Sequence, residues 1–300
     1  MSILEKKVIN ITEGTKIREY LKNELGLSSR LIRSASLNKK IFVNHEVVKM
    51  NRILNVGEVI KIDLEKDESQ DIAPEKMDIE IIYVDEDILV VNKRPFMVVH
   101  PTKNYQSGTL ANGVINYFVE SNQNCIVRLV SRLDMNTSGL IIIAKNQFAH
   151  GTLSKEMSEN NVGKRYLAIV HGNLENTSGT IDLPIYKPEG IENGIRRVID
   201  ERGQRSITHY KVIETFEKAS LVECKLETGR THQIRVHLGS IGHPIYGDTL
   251  YGYGEEELEL IKRQALHAYA LDFKSPRTGE MLALKSELPQ DMKELINKLK

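Results

Sequence analysis

Residues 140–144, Leu-Ile-Ile-Ile-Ala, form an uninterrupted apolar run entered directly from a polar loop. A run this short, bounded by turn residues, reads as a strand buried on both faces. Such a strand must lie inside a sheet that is covered on both sides, and this constrains the fold more than any other feature. The loop before it, Val130-Ser131-Arg132-Leu133-Asp134-Met135-Asn136-Thr137-Ser138-Gly139, sets a carboxylate, Asp134, beside a cation, Arg132. Loops held by rigid strands are where reactive groups tend to sit. A lone Asp in such a place is more often a turn residue that caps backbone amides. Its weight here depends on the rest of the chain.

Further strand-like runs occur at 81–84, 88–91, 165–170, 207–213 and 221–227. Helices are predicted at 146–158, with Asn146 as cap and Ala149, Leu153 and Met157 on one face, and at 289–299. The balance is α+β: residues 79–300 should form a domain on a large mixed or antiparallel sheet with flanking helices. Residues 65–78 are nearly devoid of apolar side chains, so 66–78 read as a solvated linker.

Residues 1–65 read as a separate small α+β domain. Ile17, Tyr20, Leu21 and Leu25 recur at helical spacing and Gly26 ends the run. Ser28 or Ser29 can cap a second helix with Leu31, Ile32 and Ala35 inward. Short strands follow at Ile41-Phe42-Val43 and 59–62, with a turn at Asn44-His45. Arg30 and Arg33 share a helix face, and Lys39 and Lys40 come directly after it. Residues 1–64 hold twelve Lys or Arg against seven Asp or Glu, a net of +5. The whole chain balances at 41 and 41, so the remainder carries −5. A basic unit joined to an acidic body points to an electrostatic grip on a polyanion. The unit resembles the small S-four type RNA-binding domain, with Arg30, Arg33, Lys39 and Lys40 as RNA contacts. Lys40 stands where that family usually has Gly, and Val43-Asn44-His45 replaces Val-Asn-Gly. The competing reading is an accessory domain whose basic face is merely solvated.

At 300 residues one or two domains are expected. No apolar run approaches the length of a membrane span, and the N-terminus lacks a signal-peptide core. Only Cys125 and Cys224 occur, in neither metal nor redox spacing, and they read as reduced thiols of a cytoplasmic protein.

Three blocks, in order, resemble the RluA-type RNA pseudouridine synthases. They are Arg132-Leu133-Asp134 with Thr137-Ser138-Gly139-Leu140, then 164–172 (Lys-Arg-Tyr-Leu-Ala-Ile-Val-His-Gly), then 228–238 (Thr-Gly-Arg-Thr-His-Gln-Ile-Arg-Val-His-Leu). Weaker matches are Val90-Val91-Asn92-Lys93 through Val99-His100-Pro101, and Leu266-His267-Ala268. The chain departs from the family at Ser131, usually His, and at Arg94-Pro95-Phe96, where Pro and then Gly usually follow Asn-Lys. Neither departure is at a bond-making position, so both bear on RNA contacts and target choice.

The resemblance implies an isomerase that breaks the bond from ribose to N1 of uridine, rotates the base and rejoins it through C5. Asp134 matches the family's catalytic aspartate, acting as nucleophile at C1′ or as base at C2′; both roles need it ionised and positioned. Arg235 occupies the position of its cationic partner. Tyr166, on a strand face with Lys164, Ala168 and Val170, has room to stack on the free base, although a core tyrosine is the ordinary reading of such a residue. Arg132 is a candidate for contacting or replacing the flipped nucleotide, and Arg230 for a phosphate contact. No cofactor is expected, because the reaction is redox-neutral and no nucleotide loop or Cys cluster appears. No metal is expected either: on a strand His232 and His237 would face opposite ways. Asp134 with Thr137-Ser138-Gly139 faintly resembles the aspartic-protease string, but no second copy supplies the other carboxylate. The expected partner is large-subunit ribosomal RNA, bound by a monomer. The alternatives are a tRNA pseudouridine synthase, or a non-catalytic RNA-binding or ribosome-assembly factor.

Overall fold

The computed structural model describes residues 3–64, 70–189 and 195–300. The chain begins with β1 (Ile3–Lys7), α1 (Ile17–Asn23), α2 (Ser29–Leu37), β2 (Ile41–Val43), β3 (Glu46–Val47) and β4 (Val59–Asp63). The four strands form an antiparallel sheet in the order β1-β4-β2-β3. Ile17 and Leu21 of α1, and Ile32 and Ala35 of α2, share a core with Ile41, Val43, Ile60 and Ile62 of the sheet. Ser28 caps α2, its Oγ accepting from Leu31 N at 3.2 Å. Gly26 ends the turn after α1 at φ +64°, a conformation Gly takes without steric cost.

β5 (Glu80–Val84), β6 (Ile88–Lys93), α3 (Leu110–Glu120), β7 (Arg128–Leu129), β8 (Ser138–Ala144) and α4 (Gln147–Ser158) follow. After them come β9 (Gly163–His171), β10 (Ser178–Asp182), β11 (Ile185–Tyr186), β12 (Val198–Ile199), β13 (Ile207–Thr215) and β14 (Ala219–Leu226). α5 (Gln233–Ser240), β15 (Leu266–Lys274), β16 (Met281–Lys285) and α6 (Gln290–Leu299) close the chain. A sheet of ten strands runs β10-β13-β14-β9-β15-β8-β6-β5, with β16 also on β15 and β7 also on β8. It is mixed: β15 and β8 are parallel, and the neighbouring pairs are antiparallel. β11 and β12 form a separate hairpin.

The apolar run behaves as its composition requires. Every residue of β8 is buried. Leu140, Ile142 and Ala144 pack with Ile88 and Val90 under α4, while Ile141 and Ile143 pack with Leu89 and Val91 under α3. Asn146 caps α4, its Oδ1 accepting from Ala149 N at 2.9 Å.

The structure differs from the sequence expectations in three places. Of the expected linker, residues 66–69 lie outside the described residues; within 70–78, Asp71, Ala73, Pro74, Lys76 and Asp78 are exposed, but the stretch is anchored, since Ile72 is buried with α3, Gln70 exchanges side-chain hydrogen bonds with the Val127 backbone, and Asn112 donates to Ala73 O. α3 is a helix without a clear sequence signal, because Asn112 and Gly113 are poor helix formers in its first turn. Gly113 lets the Met77 side chain pack close against α3: a Cβ there would stand 2.6 Å from Met77 Cγ, so a larger residue would displace that side chain. The segment around Arg235 is the helix α5 and not a strand, so the facing argument for His232 and His237 does not apply. His237 is buried inside that helix, between Thr208 Oγ1 at 2.9 Å and Leu183 O at 3.0 Å.

Candidate active site

Asp134 sits in the loop that feeds β8, and two buried cations fix the backbone of that loop. Lys93 Nζ, at the end of β6, donates to Met135 O at 2.9 Å, and to Met97 O and Arg94 O at 2.9 and 3.0 Å. Arg263 Nη1 donates to Asn136 O at 3.2 Å, while its Nε and Nη2 grip Asp291. Gln264 Nε2 donates to Thr137 Oγ1 at 3.2 Å, and Thr137 N donates back to Asp134 O at 3.1 Å. Burial and the nearby Arg263 charge pull the Lys93 ammonium down to about 7, against the opposing pull of Asp134. Gly139 then lets β8 meet β15: it has φ +116°, and a Cβ there would lie 2.3 Å from Ala268 O.

Arg235, on α5, reaches Asp134 Oδ2 through Nη1 at 3.1 Å. Its Nε and Nη2 form a two-pronged pair with Asp248, at 2.7 and 2.8 Å. Such forked contacts fix the plane of a guanidinium. Asp248 is fully buried, whereas 28% of the Asp134 side chain remains exposed. Burial opposes the Arg235 charge, but the Asp248 hydrogen bonds and the two carboxylates outweigh it, and its pKa is raised. The Tyr251 ring lies against the guanidinium, 5.1 Å from centroid to Cζ. The Tyr251 hydroxyl also meets His232 Nδ1 at 2.9 Å, and His232 Nε2 is 3.8 Å from Asp134 Oδ2. Burial lowers the His232 pKa despite that carboxylate, which favours the neutral ring.

Tyr166 lies on β9, as its motif predicts, opposite Cys224 of β14. On the other side the β9–β15 register breaks between His267 and Ala270, so Tyr166 faces a bulge. Bulges re-aim side chains and recur beside active sites. Burial, and then the charge of Asp134, raise the Tyr166 pKa, so the phenol stays neutral close to the carboxylate. The structure therefore brings Asp134, Tyr166 and Arg235 together from three motifs. Asp248, Lys93, Arg263 and Tyr251 belong to the same assembly, and the sequence reading assigned none of them a role.

The residues expected to contact RNA are placed differently. Arg132 is exposed two residues before Asp134. Arg230 is exposed in a turn locked by Gln233, whose Oε1 accepts from Thr228 Oγ1 and Arg230 N. It lines a cleft of about 450 Å³ with Lys187, Arg197 and Arg202, the last paired with Asp200 at 2.7 Å, and among the described residues no carboxylate lines that cleft. Arg30, Arg33 and Lys39 are exposed on or just after α2, while Lys40 is paired with Asp63 at 3.0 Å.

Residues 87–240 match the family described as RNA pseudouridylate synthase. The uncharacterized RNA pseudouridine synthase YhcT of Bacillus subtilis is 39% identical over 94% of this chain and 93% of its own length. The ribosomal large subunit pseudouridine synthase D of Zymomonas mobilis is 39% identical, over 75% of this chain and 74% of its own. Among solved structures, human RNA pseudouridylate synthase domain containing 1 matches with a TM-score of 0.59 and 27% identity, over 74% of this chain and 94% of its own. Fold, site and relatives together define an RNA-modifying isomerase. The chain belongs to the RNA pseudouridylate synthase family, and within it to the RluA type.

Proposed function

We propose that the chain isomerises specific uridines of large-subunit ribosomal RNA, with Asp134 as the catalytic residue. One observation carries the reading: a partly exposed carboxylate is clamped by a guanidinium that is itself fixed from behind by a buried carboxylate. Arg235 engages Oδ2 alone, and Oδ1 has no partner among the described residues. Oδ1 is therefore the oxygen that meets the ribose, as nucleophile or base, while Arg235 positions the group without neutralising its second oxygen. Tyr166 supplies a flat, uncharged surface on which the freed uracil turns. Its phenol resists ionisation beside Asp134, so the base does not face a second anion.

The RNA backbone runs past Arg132 and into the cationic cleft at Arg230. The N-terminal unit adds a second grip through Arg30, Arg33 and Lys39, in the manner of an S-four type domain. Relatives named for the ribosomal large subunit favour that RNA as the target. The test is Asp134→Asn, assayed by tritium release from C5-labelled uridine in transcribed large-subunit ribosomal RNA. The variant should melt like the wild type and release no tritium, because an amide is neither nucleophile nor base here. Release at the wild-type rate would remove Asp134 from the reaction.

A further inference from the structure

The family departure at Arg94-Pro95-Phe96 has a structural outcome. Phe96 adopts φ +60°, a conformation that disfavours every side chain with a Cβ. It is also 56% exposed, so burial gives back little of that cost. An aromatic residue in a strained, solvent-facing position is not explained by packing, and strain of this kind collects at functional sites.

Its location supplies the reason. Met97 N donates to Met135 O at 3.2 Å, and Lys93 Nζ bridges the carbonyls of Arg94, Met97 and Met135. The Phe96 segment is thus tied to the residue directly after Asp134. Met135 is itself 37% exposed, and Arg94 and Arg132 are exposed on the two tied segments. The two tied segments thus carry an exposed aromatic ring, a partly exposed thioether and two exposed guanidinium groups, the side-chain types that suit a base with phosphates on either side.

We infer that Phe96 is a base-stacking residue: its ring receives an unstacked base of the substrate RNA next to the uridine that enters the Asp134 pocket. A uridine drawn out of its stack leaves a neighbour with an uncovered face, and an aromatic ring covers it whatever the base. Phe96 thereby acts on RNA capture and not on bond making. The inference rests on the pseudouridine-synthase reading of the Asp134 site.

The test uses Phe96→Gly and Phe96→Trp in the full-length protein, with transcribed large-subunit ribosomal RNA labelled at uridine C5 as the probe. KM and kcat for tritium release and the melting temperature are measured. Phe96→Gly relieves the backbone, so melting should be unchanged or a few degrees higher. Its KM should rise by about five- to a hundredfold, the range a stacked base contributes, with kcat changed much less. Phe96→Trp should keep KM near the wild-type value. An unchanged KM in Phe96→Gly, or a clear fall in its melting temperature, would overturn the inference and make Phe96 inert or structural. Absence of tritium release by the wild type would instead remove large-subunit ribosomal RNA as the substrate on which this inference rests.

Discussion

At the scale of single residues, Arg235 serves two carboxylates that differ in what its loss would do. Asp248 is fully buried and takes two of the guanidinium hydrogen bonds, while Asp134 takes one and stays partly in water. Removing Arg235 therefore strands Asp248 first. An uncompensated buried charge typically costs about 3–5 kcal/mol. Arg235→Ala should lose stability on that order together with activity, whereas Arg230→Ala, at an exposed site, should weaken RNA binding and melt almost as the wild type. Denaturant melts of the two variants decide it: equal midpoints would show that Arg235 anchors nothing. Asp134, Tyr166 and Arg235 are legible as candidates because each lies in a contiguous string that resembles the family. Asp248 was invisible because its tie to Arg235 is a contact across thirteen residues with no periodicity. Arg263 reaches Asn136 across 127 residues, which no local pattern records.

At the scale of elements, legibility follows one-sided burial and a polar cap. α2 and α4 have one buried face and a polar cap, and both were found. α5 buries all of Gln233–Leu238, so it has no polar face to set a helical period, and its Ile and Val imitate a strand. The start of α3 did carry a signal, the Thr109–Asn112 capping box. The Asp134 loop hangs between such elements on Lys93, and this gives it a pH dependence. Lys93 titrates at about 7 in the fold against 10.5 ordinarily. Between those values the unfolded chain binds more protons, so stability rises as pH climbs from 7 towards 10.5. Lys93→Met lacks this contribution. Urea midpoints at pH 6.5 and pH 9 should show the wild type gaining on the variant at the higher pH. An equal offset at both would mean that Lys93 titrates as an ordinary lysine in the folded protein.

At the scale of the molecule, the basic N-terminal unit is joined to the body by more than the chain. Phe148 of α4 lies in the core formed by α1, α2 and the four-stranded sheet. Arg277 forks onto Asp87 and also donates to Ile3 O. Truncating the first sixty-odd residues would uncover Phe148 and leave Arg277 without one partner, so it would confound RNA binding with damage to the fold. Arg30→Ala with Arg33→Ala avoids this, since both side chains are exposed and α2 keeps its Ser28 cap. If the two arginines hold phosphates, each lost contact should flatten the slope of log affinity against log salt by roughly 0.7–0.9. The pair should then flatten it by about 1.4–1.8, while turnover at saturating RNA persists, because Asp134, Tyr166 and Arg235 all lie outside the unit. Titrations of both proteins on the same ribosomal RNA at several salt concentrations read this directly. An unchanged slope would assign the grip to the cleft at Lys187 and Arg230 alone, and the +5 unit would be a docked accessory that holds no phosphate.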